Sequence, residues 1–258
     1  MLVKPKTDLN LTQTSRRHLL MGLGASLAGA GLAGCGSGSS NDTGAANASS
    51  SSSISTGQGS CVLIPQETEG PYPLSAILSN SAYVRGTIHE DKPGIPLTLK
   101  FNLVDINNGC EAFPYASIYV WHCDKDGLYS GYSQPGANTI GETFCRGVQD
   151  VNQNGEVTFH TIFPGWYAGR LTHIHFQVFL YNDTASVATA TSQLAFPDDV
   201  VEAVYNSDLY REKGQNTSVR SYAEDGIFAD GIESQLVSIN GSVSDGYTAT
   251  LTIGVAVN

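Results

Sequence analysis

The segment PGWYAGRLTHIHF, residues 164–176, contains two of the chain's six histidines, with a tyrosine and an arginine just before them. In an extended strand, alternate side chains point to the same face, so His173 and His175 can converge on one metal ion. Tyr167 can add an ionised phenol, a hard oxygen donor that suits Fe(III) better than Zn(II) or Cu(I). The spacing therefore predicts a metal site with two imidazole donors and a phenolate, close to the positive charge of Arg170.

Two histidines separated by one residue also occur in other settings. They can be satisfied by hydrogen bonds in a polar pocket, without any metal. A cupin-type site needs a glutamate shortly afterwards, where Phe179 and Leu180 stand, and a metallo-hydrolase motif needs an aspartate at the position of Gln177. A zinc site that uses His122 and Cys123 lacks the paired cysteines of such sites. The hydrogen-bonded pair stays open as the alternative to a metal site.

Short strands must hold these side chains, because apolar residues alternate with polar ones and long helical patterns are missing from the sequence. Turn signals rich in asparagine, aspartate and glycine separate the runs. The runs that we predict as strands are Leu97–Asp105, Ser117–Cys123, Glu156–Phe163, His173–Tyr181 and Thr248–Val257. Two stretches, Val200–Lys213 and Asp225–Leu236, can supply a short helix or loop excursions. We therefore predict an all-β fold, an antiparallel β-sandwich with long loop excursions.

The segment DVNQNG, Asp150–Gly155, matches the start of a calcium-binding loop. A loop of that type also needs a bidentate glutamate at its twelfth position, which is Thr161 here. The residues VTFHTIF that follow alternate as a strand does, whereas the calcium motif requires a helix. We interpret Asn154-Gly155 as a hairpin turn and not as part of a calcium site.

The first 60 residues differ in composition from the rest. The paired arginines Arg16 and Arg17 precede an apolar run rich in glycine and alanine, which ends in LAGC at Cys35. This pattern resembles a bacterial twin-arginine signal with a lipobox, and it predicts export and a lipid anchor on Cys35 at the cell surface or in the periplasm. Simple cleavage that removes Cys35 is the alternative. Small polar residues then predict a flexible tether. The expected boundaries are 1–35 for the signal, 36–60 for the tether and 61–258 for the folded domain.

The net charge bears on the partners of the protein, and the cysteine content bears on its compartment. The formal net charge of −11 makes the surface acidic, so we predict that the protein does not bind nucleic acid. An even number of cysteines after Cys35 in an exported chain predicts two disulfides, with their connectivity left open. These cysteines are Cys61, Cys110, Cys123 and Cys145.

Four segments resemble those of the intradiol ring-cleavage dioxygenases, the non-haem iron enzymes that open catechols between their two hydroxyls. The segments are QETEGPYPL (66–74), VWHCDKDGLYSGY (120–132), FCRGVQDVNQNGEVTFHTIFPGWYAGRLTHIHFQV (144–178) and SQLAFPDD (192–199). The long third segment carries most of the resemblance, which fades after about residue 210. Catechol 1,2-dioxygenases have a long helical segment before the GPY motif, whereas this chain has only the predicted tether and about ten residues. The chain therefore resembles the catalytic sandwich of the family alone.

The resemblance implies a non-haem Fe(III) ion whose ligands are Tyr129, Tyr167, His173 and His175. It implies that Arg170 stabilises charge on the substrate and that Gln193 assists the site; a structural ion pair is the alternative for Arg170. Tyr72, at the mouth of the pocket, is implied as a substrate contact. By analogy with the family, Tyr167 leaves the metal and accepts a substrate proton, whereas Tyr129 and both histidines stay bound. Two tyrosinates and one hydroxide would neutralise Fe(III), which lowers the cost of burying the ion.

The implied activity is the cleavage of catechol-type aromatics with O2 to muconate-type dicarboxylic acids. Catechol, protocatechuate and hydroxyquinol are all compatible with these residues, and the sequence does not specify an oligomeric state. A non-catalytic surface binding module on the same sandwich is the alternative from a different class, and a zinc or copper enzyme is a second. The expected partners are the small-molecule substrate and O2, with contact to a membrane only through the anchor on Cys35.

Overall fold

The computed structural model describes residues 61–258, so the predicted signal and tether lie outside the described residues. This part of the chain is mostly β-structure with one α-helix, α1 (Asp198–Tyr205). Its strands are β1 (Pro96–Asp105), β2 (Glu111–Ala112), β3 (Ala116–Trp121), β4 (Ser133–Gln134), β5 (Ala137–Asn138), β6 (Arg146–Asp150), β7 (Glu156–Ile162), β8 (His173–Leu180), β9 (Ala190–Ala195), β10 (Ser238–Ser242) and β11 (Gly246–Val255). Single turns of 3₁₀-helix span Ser75–Ile77, Ser81–Tyr83, Ile106–Asn108, Tyr222–Glu224 and Phe228–Asp230. Among residues 61–258, no helix combines the length and the apolar character needed to cross a bilayer.

The strands form two main sheets and a small ribbon. In sheet A, β11 pairs with one edge of β1, β7 and β2 pair with the other edge, and β10 extends the sheet beyond β11. Sheet B has the order β6-β3-β8-β9, and β4 pairs with β5 in the ribbon. These pairs are antiparallel except for β1 with β11, which run parallel. The structure confirms the predicted all-β sandwich and adds one parallel pair to it.

Alternation along the strands builds the core between the two sheets. The inward residues of β1 and β8, which belong to one buried cluster, are Leu97, Leu99, Phe101, Leu103, Ile174, Phe176 and Val178. The rings of Phe101 and Phe176 meet across the sandwich, with centroids 5.3 Å apart. Burial of a side chain of this size stabilises a fold by about 1.5–3 kcal/mol. This layer therefore holds β8 firmly in place, and β8 carries the histidine pair.

The opposite face of β8 carries His173, His175 and Gln177, as the predicted alternation requires. This face points away from the core between the sheets, yet all three side chains are buried. Loops cover them, since Gly70 lies against His175 and Phe228 packs near His173. The long loop excursions that the sequence predicts therefore enclose this face of sheet B.

The five predicted strands correspond to β1, β3, β7, β8 and β11, with some ends displaced by one or two residues. The helix α1 occupies the first part of the predicted Val200–Lys213 stretch and begins before it. Strands β6, β9 and β10 were not predicted, because RGVQD, ATSQLA and SINGS are short and contain few large apolar residues. These three segments are strands because they pair with β3, β8 and β11, in which apolar and polar residues alternate more clearly.

The prediction of a hairpin at Asn154-Gly155 is wrong in one respect. A tight turn is present, in which the N–H of Gly155 donates to the carbonyl oxygen of Asn152 over 2.9 Å. The φ of Gly155 is +72°, a conformation that favours glycine. However, β6 before the turn belongs to sheet B and β7 after it belongs to sheet A. The turn therefore carries the chain from one sheet to the other.

One of the two predicted disulfides is present among residues 61–258, between Cys61 and Cys110. It ties the start of the domain to the turn between β1 and β2. Cys123 and Cys145 are free and buried, so the prediction of a second bridge is wrong. The N–H of His122 donates to the carbonyl oxygen of Cys145 over 3.1 Å, which extends the pairing of β3 with β6. Cys145 thus lies opposite His122, and Cys123, one residue later, points to the other face.

Candidate metal centre

The four side chains predicted as metal ligands meet on the loop-covered face of sheet B. His173 and His175 come from β8, Tyr129 from the loop after β3, and Tyr167 from the loop after β7. The Nε2 atom of His173 lies 3.3 Å from Tyr129 Oη, 3.2 Å from Tyr167 Oη and 3.1 Å from His175 Nε2. Three separate segments of the chain therefore bring two imidazoles and two phenols to one point.

Hydrogen-bond chemistry favours a metal ion over a purely hydrogen-bonded cluster at this point. His173 Nδ1 lies 2.6 Å from the carbonyl oxygen of Leu171, so Nδ1 carries the proton and Nε2 offers one lone pair. Three potential donors surround that lone pair, which can accept only one strong hydrogen bond. Nitrogen and oxygen ligands stand about 2.0–2.2 Å from a first-row metal ion, so neighbouring ligand atoms are about 3 Å apart. The observed spacing suits a shared ion.

His175 is packed between an aromatic ring and the backbone of the GPY segment. Its ring is stacked on Trp121, with centroids 4.8 Å apart and an angle of 7° between the planes. Gly70 has a φ of +67°, and a Cβ at this position would come within 3.3 Å of His175 Cε1. Glycine is therefore favoured at position 70 both by the backbone conformation and by the close approach. The Nδ1 atom of His175 has no hydrogen-bond partner among the described residues, so packing orients this ring.

Tyr72 lies directly against Tyr129. The two rings are stacked with centroids 4.8 Å apart, and Tyr132 meets the Tyr72 ring edge-on at 5.0 Å. Tyr129 is fully buried, whereas Tyr72 and Tyr167 are half-buried. Tyr72 and Tyr167 are thus the rings of this group that lie closer to solvent.

A buried carboxylate and a buried amide hold Arg170 in place. Its Nε atom donates to both carboxylate oxygens of Asp225, over 2.9 and 3.0 Å, and its Nη2 atom donates to Gln193 Oε1 over 2.7 Å. Gln193 in turn donates from Nε2 to the carbonyl oxygen of Thr68 over 2.9 Å. The structural ion pair considered for Arg170 is therefore present, and it fixes the guanidinium beside the two histidines and Tyr167.

Burial keeps the four side chains uncharged when they hold no metal. Burial, aided by the charge of Arg170, lowers the pKa of His173 to about 3. Burial and then His173 hold the pKa of His175 well below its usual value. Burial raises the pKa of Tyr167 to about 12, with Arg170 opposing the shift, and raises the pKa of Tyr129 well above its usual value. The imidazoles are thus ready ligands, whereas each phenol must lose a proton to bind a metal.

The donor set fits a hard cation. Among residues 61–258, no group of three or more His, Cys, Asp or Glu side chains is placed to hold a metal ion. The cluster contains only two residues of those types, and its remaining donors are the phenols of Tyr129 and Tyr167. Two phenolates with two imidazoles suit Fe(III) better than a softer ion. The residues present therefore fit the ion that the sequence resemblance implies.

Two residues of this site were missed in the sequence. Asp225, which pairs with Arg170, lies 55 residues away along the chain, and the sequence contains no signal for that contact. Trp121 lies directly opposite His175 in the pairing of β3 with β8. Its place in the VWHCD run would indicate the contact only once the register of the two strands is known.

Comparison with solved structures confirms the resemblance to the intradiol ring-cleavage dioxygenases. An intradiol ring-cleavage dioxygenase from Tetranychus urticae is 29% identical to this chain, with a TM-score of 0.66 over 76% of this chain and 95% of that one. Another solved dioxygenase is 28% identical, with a TM-score of 0.64 over the same shares, 76% and 95%. The chain is therefore similar in structure to single-domain proteins of this kind.

A third structure is similar in fold alone. It is the dioxygenase domain of a dioxygenase carbohydrate-binding protein fusion from Streptomyces sp. SirexAA-E, at 21% identity and a TM-score of 0.51, over 76% of this chain and 100% of that one. No protein-family model and no curated protein matches the chain.

Proposed function

We propose that this protein is a non-haem Fe(III) intradiol dioxygenase, which cleaves catechol-type aromatics with O2 to muconate-type dicarboxylic acids. The observation that carries the proposal is the convergence of four donor side chains on one point, Tyr129, Tyr167, His173 and His175. It occurs in a chain whose structure is similar to that of an intradiol ring-cleavage dioxygenase. Because one fold can host many activities, the donor set is the main support.

Burial divides the four proposed ligands into two kinds. Tyr129, His173 and His175 are buried, so we assign them as the permanent ligands. Tyr167 is half-buried, so it would be the ligand that a bound substrate replaces, and its Oη atom would take up a proton from a substrate hydroxyl. When bound, Fe(III) would supply Lewis acidity and accept electron density from the catecholate, which makes the ring reactive towards O2.

Arg170 provides a fixed positive charge beside the proposed ligands. Asp225 and Gln193 already orient its guanidinium, so little reorganisation is needed when negative charge develops on the substrate. Gln193 acts through this contact and through Thr68, which precedes the GPY segment. Tyr72 stands at the half-buried side of the site, and we assign it as a contact for the substrate ring.

Metal content and colour test the proposed centre. Purified protein should contain about one iron per chain and show the visible charge-transfer band of tyrosinate bound to Fe(III), which zinc cannot produce. Tyr167→Phe should change this band, because one of the two phenolates is lost. His175→Ala should abolish iron binding, because it removes a permanent ligand. A colourless protein with stoichiometric zinc would show that the metal is assigned wrongly.

Oxygen uptake with a panel of catechols tests the activity itself. Consumption of one O2 per ring cleaved, with a product whose mass equals substrate plus both oxygen atoms, is the expected result. Catechol, protocatechuate and hydroxyquinol form the panel. An iron-loaded, coloured protein that consumes no O2 with any catechol would support a non-catalytic binding module on the same sandwich.

A further inference from the structure

Arg146 is an arginine with no solvent exposure and no acidic partner in the described part of the chain. It is fully buried at the start of β6, and none of the ion pairs among residues 61–258 involves it. A buried charge without a counter-ion costs several kcal/mol unless hydrogen bonds satisfy it. The residues that accept hydrogen bonds from Arg146 therefore indicate the structural role of this buried charge.

The guanidinium of Arg146 donates four hydrogen bonds, all to neutral oxygen atoms. Nε donates to Ser130 Oγ and Nη2 to the carbonyl oxygen of Ser130, each over 2.8 Å. Nη1 donates to the carbonyl oxygen of Tyr72 over 2.7 Å and to Tyr119 Oη over 3.0 Å. One planar group thus links three separate segments of the chain.

Each of these three segments contains or contacts a residue that packs against one of the proposed ligands. Ser130 follows Tyr129, and the Tyr72 ring is stacked on Tyr129. Tyr119 is stacked on Trp121 with centroids 4.8 Å apart, and Trp121 is stacked in turn on His175. The guanidinium carbon also lies 6.0 Å from the centroid of the Tyr129 ring. Arg146 therefore contacts neighbours of two proposed ligands without touching the point where the donors meet.

We propose that Arg146 is a positioning residue of the metal centre, which holds the Tyr129 and Tyr72 segments and the aromatic stack behind His175 in register. The inference rests on the proposed function, because it concerns the residues assigned there as ligands. Lysine cannot replace arginine in this role, since a single ammonium lacks the planar set of donors that reaches all three segments.

Iron affinity and the visible spectrum of two Arg146 variants test this inference. Arg146→Lys and Arg146→Gln should bind iron about 10–100-fold more weakly than the wild type, the usual effect of losing a residue that orients ligands. Their charge-transfer band should shift or broaden, because Tyr129 is no longer fixed. Arg85→Gln is the matched control. Arg85 also donates to backbone oxygens, those of Arg146 and Thr143, and it pairs with Glu90, so none of its hydrogen bonds reaches the three segments.

Two further measurements keep the test decisive. If the Arg146 variants do not fold, Ser130→Ala removes one acceptor of Arg146 and the hydrogen bond from Ser130 Oγ to the carbonyl oxygen of Phe144, and it should reproduce the spectral change in weaker form. Amide hydrogen exchange of metal-free protein should be faster at residues 70–74 and 128–132 in Arg146→Lys than in the wild type.

A wild type that binds no iron would contradict the proposed function and leave the exchange result to decide the role of Arg146. Folded variants with unchanged affinity, band and exchange would overturn the positioning role.

Discussion

At the scale of single residues, the surroundings of each proposed ligand assign it a different task. His173 is oriented by a hydrogen bond to the backbone, His175 by stacking on Trp121, and Tyr129 by stacking against Tyr72. Tyr167 is the most exposed of the four proposed ligands. Three proposed ligands are thus constrained by packed neighbours, and Tyr167 lies closest to solvent, which agrees with its proposed role as the ligand that a substrate replaces.

Arg170 is the residue whose removal should lower turnover while the metal stays bound. The double variant Arg170→Met with Asp225→Asn should retain iron, because neither side chain is one of the four donors. Its turnover should fall by about 10²–10³-fold, the usual effect of removing one group that stabilises developing charge. Changing both residues avoids leaving the buried carboxylate of Asp225, which also accepts the N–H of Leu171, without a counter-ion, which would destabilise the fold by several kcal/mol.

Steady-state kinetics measure this effect, with Asp225→Asn alone as the control. The control loses the ion pair but keeps the guanidinium, so it should retain more turnover than the double variant. Equal turnover in wild type, control and double variant would leave Arg170 with a structural role only.

His122 should make the fold less stable in acid. Its Nε2 atom lies 2.7 Å from Thr161 Oγ1 in sheet A, and its Nδ1 atom lies 2.8 Å from the carbonyl oxygen of Cys123. Burial lowers the pKa of His122 from 6.5 to about 4. As the pH falls through this window, the unfolded chain binds a proton at His122 that the folded chain does not, so the free energy of unfolding decreases.

Urea unfolding of metal-free protein near pH 7 and near pH 4 measures this loss. His122 alone should contribute about 3 kcal/mol to it, since one pKa unit corresponds to about 1.4 kcal/mol. The variant His122→Gln should lose less stability over the same range, while His173 and His175 contribute in both proteins. Equal losses in the two proteins would contradict a neutral, buried His122.

At the scale of elements, sequence patterns predicted the strands that alternate and missed those that do not. The strands β1, β3, β7, β8 and β11 contain enough apolar residues at every second position to show a buried face. The strands β6, β9 and β10 form because they pair with neighbouring strands. The local sequence pattern of each segment contains no information about that pairing. The parallel pairing of β1 with β11 has the same cause, since it joins the two ends of the domain.

Most residues of the candidate site could be predicted from the sequence, but one of its contacts could not. The spacing of His173 and His175 alone indicated two donors on one face, and the resemblance to a family supplied Tyr129 and Gln193. Neither source indicated Asp225, whose contact with Arg170 depends on how a loop folds back over sheet B. The number of cysteines also predicted a second disulfide that does not form. Cys145 lies opposite His122, so Cys123, one residue later, points to the other face. A count of cysteines contains no information about these directions.

The disulfide between Cys61 and Cys110 should stabilise the domain while leaving two thiols free. Thiol titration of denatured, unreduced protein that begins after Cys35 should find two thiols per chain, and the native protein should show none, because Cys123 and Cys145 are buried. The variant Cys61→Ser with Cys110→Ser should lose about 2–4 kcal/mol of unfolding free energy, the typical contribution of one bridge. Denaturant titration measures this loss, and Cys123→Ala is the control that keeps the bridge. Four titratable thiols would contradict the bridge.

At the scale of the whole molecule, the proposed centre depends on the closed sandwich. Its donors come from two loops and one strand, and the loops reach their positions only when they cover sheet B. Metal binding is therefore coupled to folding. This coupling bears on the predicted twin-arginine signal, because that export route carries folded proteins, whereas the general route threads unfolded chains. We propose that iron is loaded before export, while the cell still controls which metal the protein meets.

The signal and the anchor can be tested separately from the site. Arg16→Lys with Arg17→Lys should retain active, iron-loaded protein inside the cell, because the paired arginines are the recognised feature of the signal. Cys35→Ala should release the protein from the membrane fraction or stall its processing, with activity unchanged, because the proposed ligands all lie within residues 129–175. Fractionation with iron and activity assays on each fraction measures both effects. If the double-lysine variant still reached the outside with full activity, the twin-arginine interpretation would be wrong, and iron would have to be loaded after export.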